Sequence, residues 1–86
     1  MKELEKQYKA LANRRRLEIL KYLSSGRRAT VGDIAAHIKL HLKATSQHLK
    51  ILSGVEFVDR EQKSLHVFYF LPDRKPKVLE NFLKTF

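Results

Sequence analysis

Cysteine is absent from this chain. Its absence excludes disulfides, thiolate nucleophiles and thiol redox switches. Long apolar runs are missing as well, and no stretch approaches the ~20 residues that a membrane-spanning helix needs. The N-terminal "MKELEKQYK" is charged throughout and lacks the apolar stretch of a signal peptide, so the chain is expected to stay in the cytoplasm. Acid is scarce too: 9 Asp and Glu face 18 Lys and Arg, a net charge of +9 with a pI near 10.1. That excess attracts polyanions, nucleic acid first and an anionic membrane surface second.

What is present describes a folded domain. Of the 86 residues, 43% are hydrophobic and 31% charged, a globular rather than a disordered balance. The length is near the limit at which one core suffices. No internal repeat, low-complexity tract or flexible linker interrupts it, so residues 1–86 are expected to form a single domain.

Leu4, Tyr8, Leu11 and Ala12 recur at i, i+4, i+7 and i+8 and predict a first helix over "ELEKQYKALA". Asn13 is a good N-cap for a second, "RRRLEILKYLSS", which should bury Leu17, Leu20 and Leu23 and stop at Gly26. Its three arginines stand at the positive end of the helix dipole, and an anionic group nearby would offset that cost. Thr30 followed by Asp33 reads as a capping box for a third helix, with Val31, Ile34, Ala35 and Ile38 facing inward. After the short "KLH", "LKATSQHLKILSG" predicts a fourth helix closed by Gly54, and the pair forms a helix-turn-helix unit. From Val55 the pattern changes. "VEFVDR" and "LHVFYFL" predict a β-hairpin whose polar tip "EQKS" is longer than two residues. Pro72 ends it. Pro76 fits the first turn of a last helix, "PKVLENFLKTF", with Val78, Leu79, Phe82, Leu83 and Phe86 as its apolar face.

The stretch "KATSQHLKIL" carries the functional signal. At about 100° per residue Thr45, Leu49 and Leu52, with Leu42 close by, gather on one side as a core stripe. Lys43, Ser46, Gln47 and Lys50 gather on the other, with no acid among them. A helix fits the major groove of B-DNA, and side chains of its N-terminal half reach base edges. Gln47 can pair bidentately with adenine, Ser46 can donate or accept, and small Ala44 permits close approach or meets a thymine methyl. Lys43 and Lys50 suit phosphates or guanine. His48 lies nearer Thr45 and Leu49 than Gln47, so a structural role at the helix edge and a DNA contact both stay open. Arg60 and Lys63 of the hairpin are candidates for phosphate or minor-groove contacts, and Arg27, Arg28 and Lys39 flank the helix-turn-helix as an extension of that track.

The order helix, helix, helix-turn-helix, hairpin, helix is mostly α with a β-hairpin wing, a winged helix-turn-helix. In sequence the chain resembles the ArsR-type (arsenic-repressor) family of transcriptional regulators over about residues 8–71. "KALANRRRLEILKYL" is similar to that family's second-helix entry, "VGDIAAHI" to its third helix, "ATSQHLKIL" to its recognition helix and "FVDREQKSLHVFYFL" to its wing. Three departures stand out. Arg14 and Arg15 replace the usual Pro-Thr. Glu56 occupies a usual Gly, so that Gly54 is expected to take over the turn. The wing tip has no Gly.

The resemblance implies a homodimer built on the first and last helices, with Leu4, Tyr8, Leu11, Leu79, Phe82, Leu83 and Phe86 packing across a two-fold axis. A domain this small rarely needs two further apolar stripes for itself. The family often senses metals, but its thiolate positions fall here on Thr30 and Gly32, and no His follows His66 for its other site. His37 and His41 stand four apart without a third ligand, where zinc wants three or four. No metal or cofactor is expected. Nor is catalysis: Ser46 and His48, at i and i+2, point apart. There is no glycine-rich phosphate loop and no carboxylate cluster. The expected function is a homodimeric, sequence-specific repressor that binds double-stranded DNA, with no membrane partner and no effector named by the residues. The alternatives are a winged-helix protein-interaction module, suggested by a hairpin apolar on both faces and by the Phe86 terminus, and a ligand-gated regulator.

Overall fold

The first two helices meet at Asn13, whose side chain decides where the second begins. Its Oδ1 accepts the backbone N–H of Arg16 at 3.1 Å, satisfying one of the free amides of the first turn. The computed structural model describes residues 1–86. Its elements are α1 (Lys2–Leu11), α2 (Arg14–Leu23), α3 (Val31–Ile38), α4 (Leu42–Gly54), β1 (Asp59–Lys63), β2 (His66–Phe70) and α5 (Lys77–Leu83). No helix is long and apolar enough to cross a membrane.

The predicted capping box of α3 is formed: Thr30 Oγ1 accepts from the Asp33 amide and Asp33 Oδ2 accepts from the Thr30 amide. Ile34, Ala35 and Ile38 are buried by α3, Thr45, Leu49 and Leu52 by α4, and Leu20 and Leu23 by α2. Phe57 fills the centre with no exposure, beside Val55 and Val58. Ile19 and Ala10 also lie in this core. Leu17, expected in the core, is only half-buried. Ala10 escaped notice because a small residue contributes little to an apolar stripe. The Cα radius of gyration is 12.2 Å, against about 12 Å for a compact chain of this length.

The three arginines at the start of α2 find the oxygens their position calls for. Arg14 and Arg15 both pair with Glu18, at 3.7 and 3.4 Å. Arg15 also donates to the carbonyl of Ile38, at the end of α3. Arg16 donates to two carbonyls at the end of α1.

The hairpin begins later than its apolar residues suggested. Val55, Phe57 and Val58 form a buried lead-in, and the polar "DREQK" is the strand itself. Asp59 pairs with Phe70 and Lys63 with His66, which leaves a two-residue turn at Ser64 and Leu65 in place of the longer tip. Ser64 takes the left-handed conformation, φ 57°, that Gly usually supplies in such turns. On its other edge β2 is joined by a single residue, Ala29, which exchanges both backbone hydrogen bonds with Tyr69, at 3.0 and 2.7 Å.

Two more expectations need correction. The turn after α4 is made by Glu56, φ 62°, and not by Gly54, which stays in the helix. The Phe57 amide donates to the Leu52 carbonyl at 2.9 Å and the Glu56 amide to the Ser53 carbonyl at 3.0 Å. This is a Schellman motif, with Glu56 at the position where its left-handed residue must stand. Leu79, expected among the dimer contacts, has no exposure and is part of the domain's own core. α5 ends at Leu83 and lays only one narrow face on that core, so Leu79 is enclosed while Phe82 and Leu83 pack at its margin. Leu11 packs there as well. Leu4, Tyr8 and Phe86 remain exposed, at 42%, 57% and 54%.

Candidate nucleic-acid interface

The rotation of α4 is fixed from below and from its start. Thr45, Leu49 and Leu52 have no exposed surface. His41 caps the helix through Nδ1, which accepts from the Ala44 amide at 3.3 Å, and Thr45 Oγ1 donates to the His41 carbonyl at 2.9 Å. With that side anchored, Lys43, Ser46, Gln47 and Lys50 stand exposed on the other, and Ala44 is half-buried at the edge. No acidic residue occupies the first turn. The amide dipoles, the lysines and the absence of carboxylates all make this face attractive to phosphate. Leu42 is the exception to the core stripe. It is 56% exposed, because Leu40 of the preceding turn packs against the core instead.

The wing brings one of its candidate cations to this face. Arg60 and Tyr69, cross-strand partners, line a cleft of about 340 Å³ with Ser46, Lys50 and Ser53 of α4. Helix and wing therefore share a single concave surface. Tyr69 and Ser53 were not anticipated, since only the fold brings them beside Ser46. Lys63 is exposed at the end of β1, on the opposite strand face from Arg60. Lys39 is exposed in the turn between α3 and α4, where its own φ of 57° closes α3.

The other candidate phosphate contacts are occupied within the molecule. Arg27 lies over the Tyr22 ring with Cζ 4.2 Å from the centroid, and Tyr22 in turn stacks on His37 at 4.1 Å. Arg28 covers Phe70 and reaches Glu61. His37 and His41 have separate tasks, one in that stack and one capping α4. No group of three or more His, Cys, Asp or Glu side chains stands together as metal ligands would.

His48 is half-buried, and its ring Nδ1 stands 3.2 Å from Arg16 Nη1. Burial first, then the charges of Arg16 and Arg15, hold its pKa below the usual histidine value. A guanidinium can only donate, so Nδ1 accepts from Arg16, with the ring proton on Nε2. Burial also lowers the pKa of Arg16, but a guanidinium stays charged in a protein. Of the two roles open to His48, the structural one is thus present in the geometry.

A helix-turn-helix whose second helix offers an acid-free outer face, flanked by an antiparallel wing, defines the winged helix-turn-helix class of DNA-binding domain. The chain belongs to the arsR family of bacterial regulatory proteins, whose family model matches residues 13–60; it is an ArsR-family winged-helix transcriptional regulator. It is 31% identical over 75 residues to the arsenical resistance operon repressor of Bacillus subtilis, covering 87% of this chain and 71% of that one. Over 71 residues it is 35% identical to the transcriptional activator HlyU of Vibrio cholerae, covering 83% of this chain and 65% of that protein. Among solved structures it is similar to a homodimeric winged helix-turn-helix DNA-binding domain from Mycobacterium bovis, with 26% identity and a TM-score of 0.84 over 98% of this chain and 75% of that one.

Proposed function

We propose that residues 1–86 act as one winged-helix unit of a homodimeric repressor that reads an inverted repeat in double-stranded DNA and occludes a promoter. The observation that carries this is the shared concave surface, where exposed Ser46 and Lys50 of α4 face Arg60 and Tyr69 of the wing. Gln47 and Ser46 would read base edges, and Lys43, Lys50 and Arg60 would hold phosphates. Lys39 and Lys63 would extend that track at its two ends. Leu4, Tyr8 and Phe86, exposed on the terminal elements, would meet their copies across the two-fold axis. The name of the Bacillus subtilis relative supports repression, and the homodimeric Mycobacterium bovis domain supports the assembly. Control would not use the family's thiolate ligands, because Thr30 and Gly32 stand at those positions.

Selection of bound fragments from a random DNA pool tests this reading. The expected product is an inverted repeat with half-sites about one helical turn, ~34–36 Å, apart. Fragments without common sequence would contradict it.

The alternative, a protein-interaction module, has two grounds: a hairpin apolar on both faces and the exposed Phe86. One face is anchored by Tyr69 on the core, and Phe70 on the other lies under Arg28.

A further inference from the structure

α1 is a lever held near one end. Ala10 is buried and Leu11 packs on the core, both at its C-terminal end, while Lys2–Lys6 are exposed. α1 packs on α2 and α2 packs on α4. Arg16 of α2 stands between them and spends its guanidinium on both. Nε donates to the Ala10 carbonyl at 2.7 Å and Nη2 to the Lys9 carbonyl at 3.1 Å, while Nη1 lies 3.2 Å from His48 Nδ1. The two carbonyls are at the negative end of the α1 dipole, where a cation is favoured. One rigid, planar fork thus ties the root of α1 to the middle of α4. Beside it a groove of about 380 Å³ between the two helices is lined by Lys6, Lys9, Arg16 and Ile51, without a carboxylate.

We propose that Arg16 is a positioning residue for DNA reading: by joining the Lys9 and Ala10 carbonyls to His48, it fixes the angle between the dimer helix α1 and the reading helix α4. The inference rests on the dimeric reading above and adds the element that sets half-site spacing. The lever makes the angle matter. Ten residues of α1 span about 15 Å, so a tilt of ~10° at the root moves the free end by about 3 Å. One base-pair step is ~3.4 Å. An untied α1 would let the two α4 helices of a dimer settle on neighbouring spacings.

The test uses the full chain and duplexes that the wild type selects from a random pool, each remade with its centre lengthened or shortened by one base pair. The readout is discrimination, the ratio of affinities for original and altered centres, which cancels any contact His48 itself makes within a half-site. Wild type is expected to discriminate by about tenfold or more, within the usual range of coupling between sites. Arg16→Lys, which keeps the charge but loses the fork, and His48→Leu, which keeps volume but loses the acceptor, should fall below about threefold. His48→Asn, whose Oδ1 stands near the place of Nδ1, should restore the ratio. Far-UV circular dichroism on each variant separates lost positioning from lost fold, and His48→Leu spares both α1 carbonyls if Arg16→Lys fails to fold. Wild-type discrimination in folded His48→Leu would overturn the proposal, as would failure of His48→Asn to recover it. If the wild type itself selects no paired half-sites, the dimeric reading fails first and the proposal with it.

Discussion

The guanidinium of Arg28 lies over the ring of Phe70, with Cζ 3.8 Å from the ring centroid, and its Nη1 donates to Glu61 at 3.2 Å. The side chain thereby ties the segment before α3 to both strands of the wing. A neighbouring backbone pair, Ala29 with Tyr69, ties the same segment to β2 through the main chain. A lone two-stranded hairpin is marginal in water, so these tethers decide whether the wing keeps its place beside α4.

Arg28→Ala should therefore cost about 1 kcal/mol, combining an exposed cation–π contact with a half-exposed ion pair. Chemical denaturation measures the loss. Amide exchange should quicken more in β1 and β2 than in α2 and α3, where only the global loss is felt.

Glu56 sits at φ 62° in the Schellman turn that closes α4. Left-handed backbone is strained for a residue with a Cβ and free for glycine, though glycine loses more entropy on folding. Glu56→Gly should stabilise the chain by about 0.5–1 kcal/mol, raising the melting temperature by roughly 2–8 °C. Calorimetry checks it, and a lower melting point would mean that Glu56 holds something the turn alone does not explain.

Leu79 and Tyr8 should part company. Leu79→Ala opens a cavity in the core and should cost about 2–5 kcal/mol, a large share of the stability of a domain this size. Tyr8 is 57% exposed, so Tyr8→Glu should leave the monomer folded and remove the dimer. Sedimentation with circular dichroism reads both outcomes.

His48 gives stability a pH dependence of definite sign. Its folded pKa is lowered by burial and by Arg16 and Arg15, so the unfolded chain takes up the proton first as the pH falls. Stability is full above the ordinary histidine value of ~6.5 and declines as the pH falls below it. His48→Asn should flatten this part of a denaturation-versus-pH profile.

Much of the geometry of the candidate interface was legible because it is local. The capping box at Thr30 and Asp33 and the acid-free face at Lys43, Ser46, Gln47 and Lys50 follow from spacing along single helices. The order of elements, set by where periodicity changes, was enough to name the fold. What the chain concealed depends on distant partners or on a residue acting against type. Glu56 and Ser64 take backbone that glycine usually takes, so Gly54 drew the turn to the wrong place. Val55, Phe57 and Val58 have the composition of a strand but are its buried lead-in. Arg16 looked like an electrostatic misfit at the start of α2 because its carbonyl partners precede it and His48 follows 32 positions later. Leu79 belonged to an apolar face whose inner and outer residues no periodicity could tell apart.

The central claim is that the outer face of α4 reads bases while the wing holds the backbone. A salt-titrated binding assay on selected DNA, comparing Gln47→Ala with Lys63→Ala, tests it most directly. Gln47→Ala should lose about 1–3 kcal/mol of preference at one base position and keep its salt slope. Lys63→Ala should weaken all sequences alike and flatten the slope by roughly one unit. Unchanged base preference and unchanged salt dependence in both variants would contradict the account.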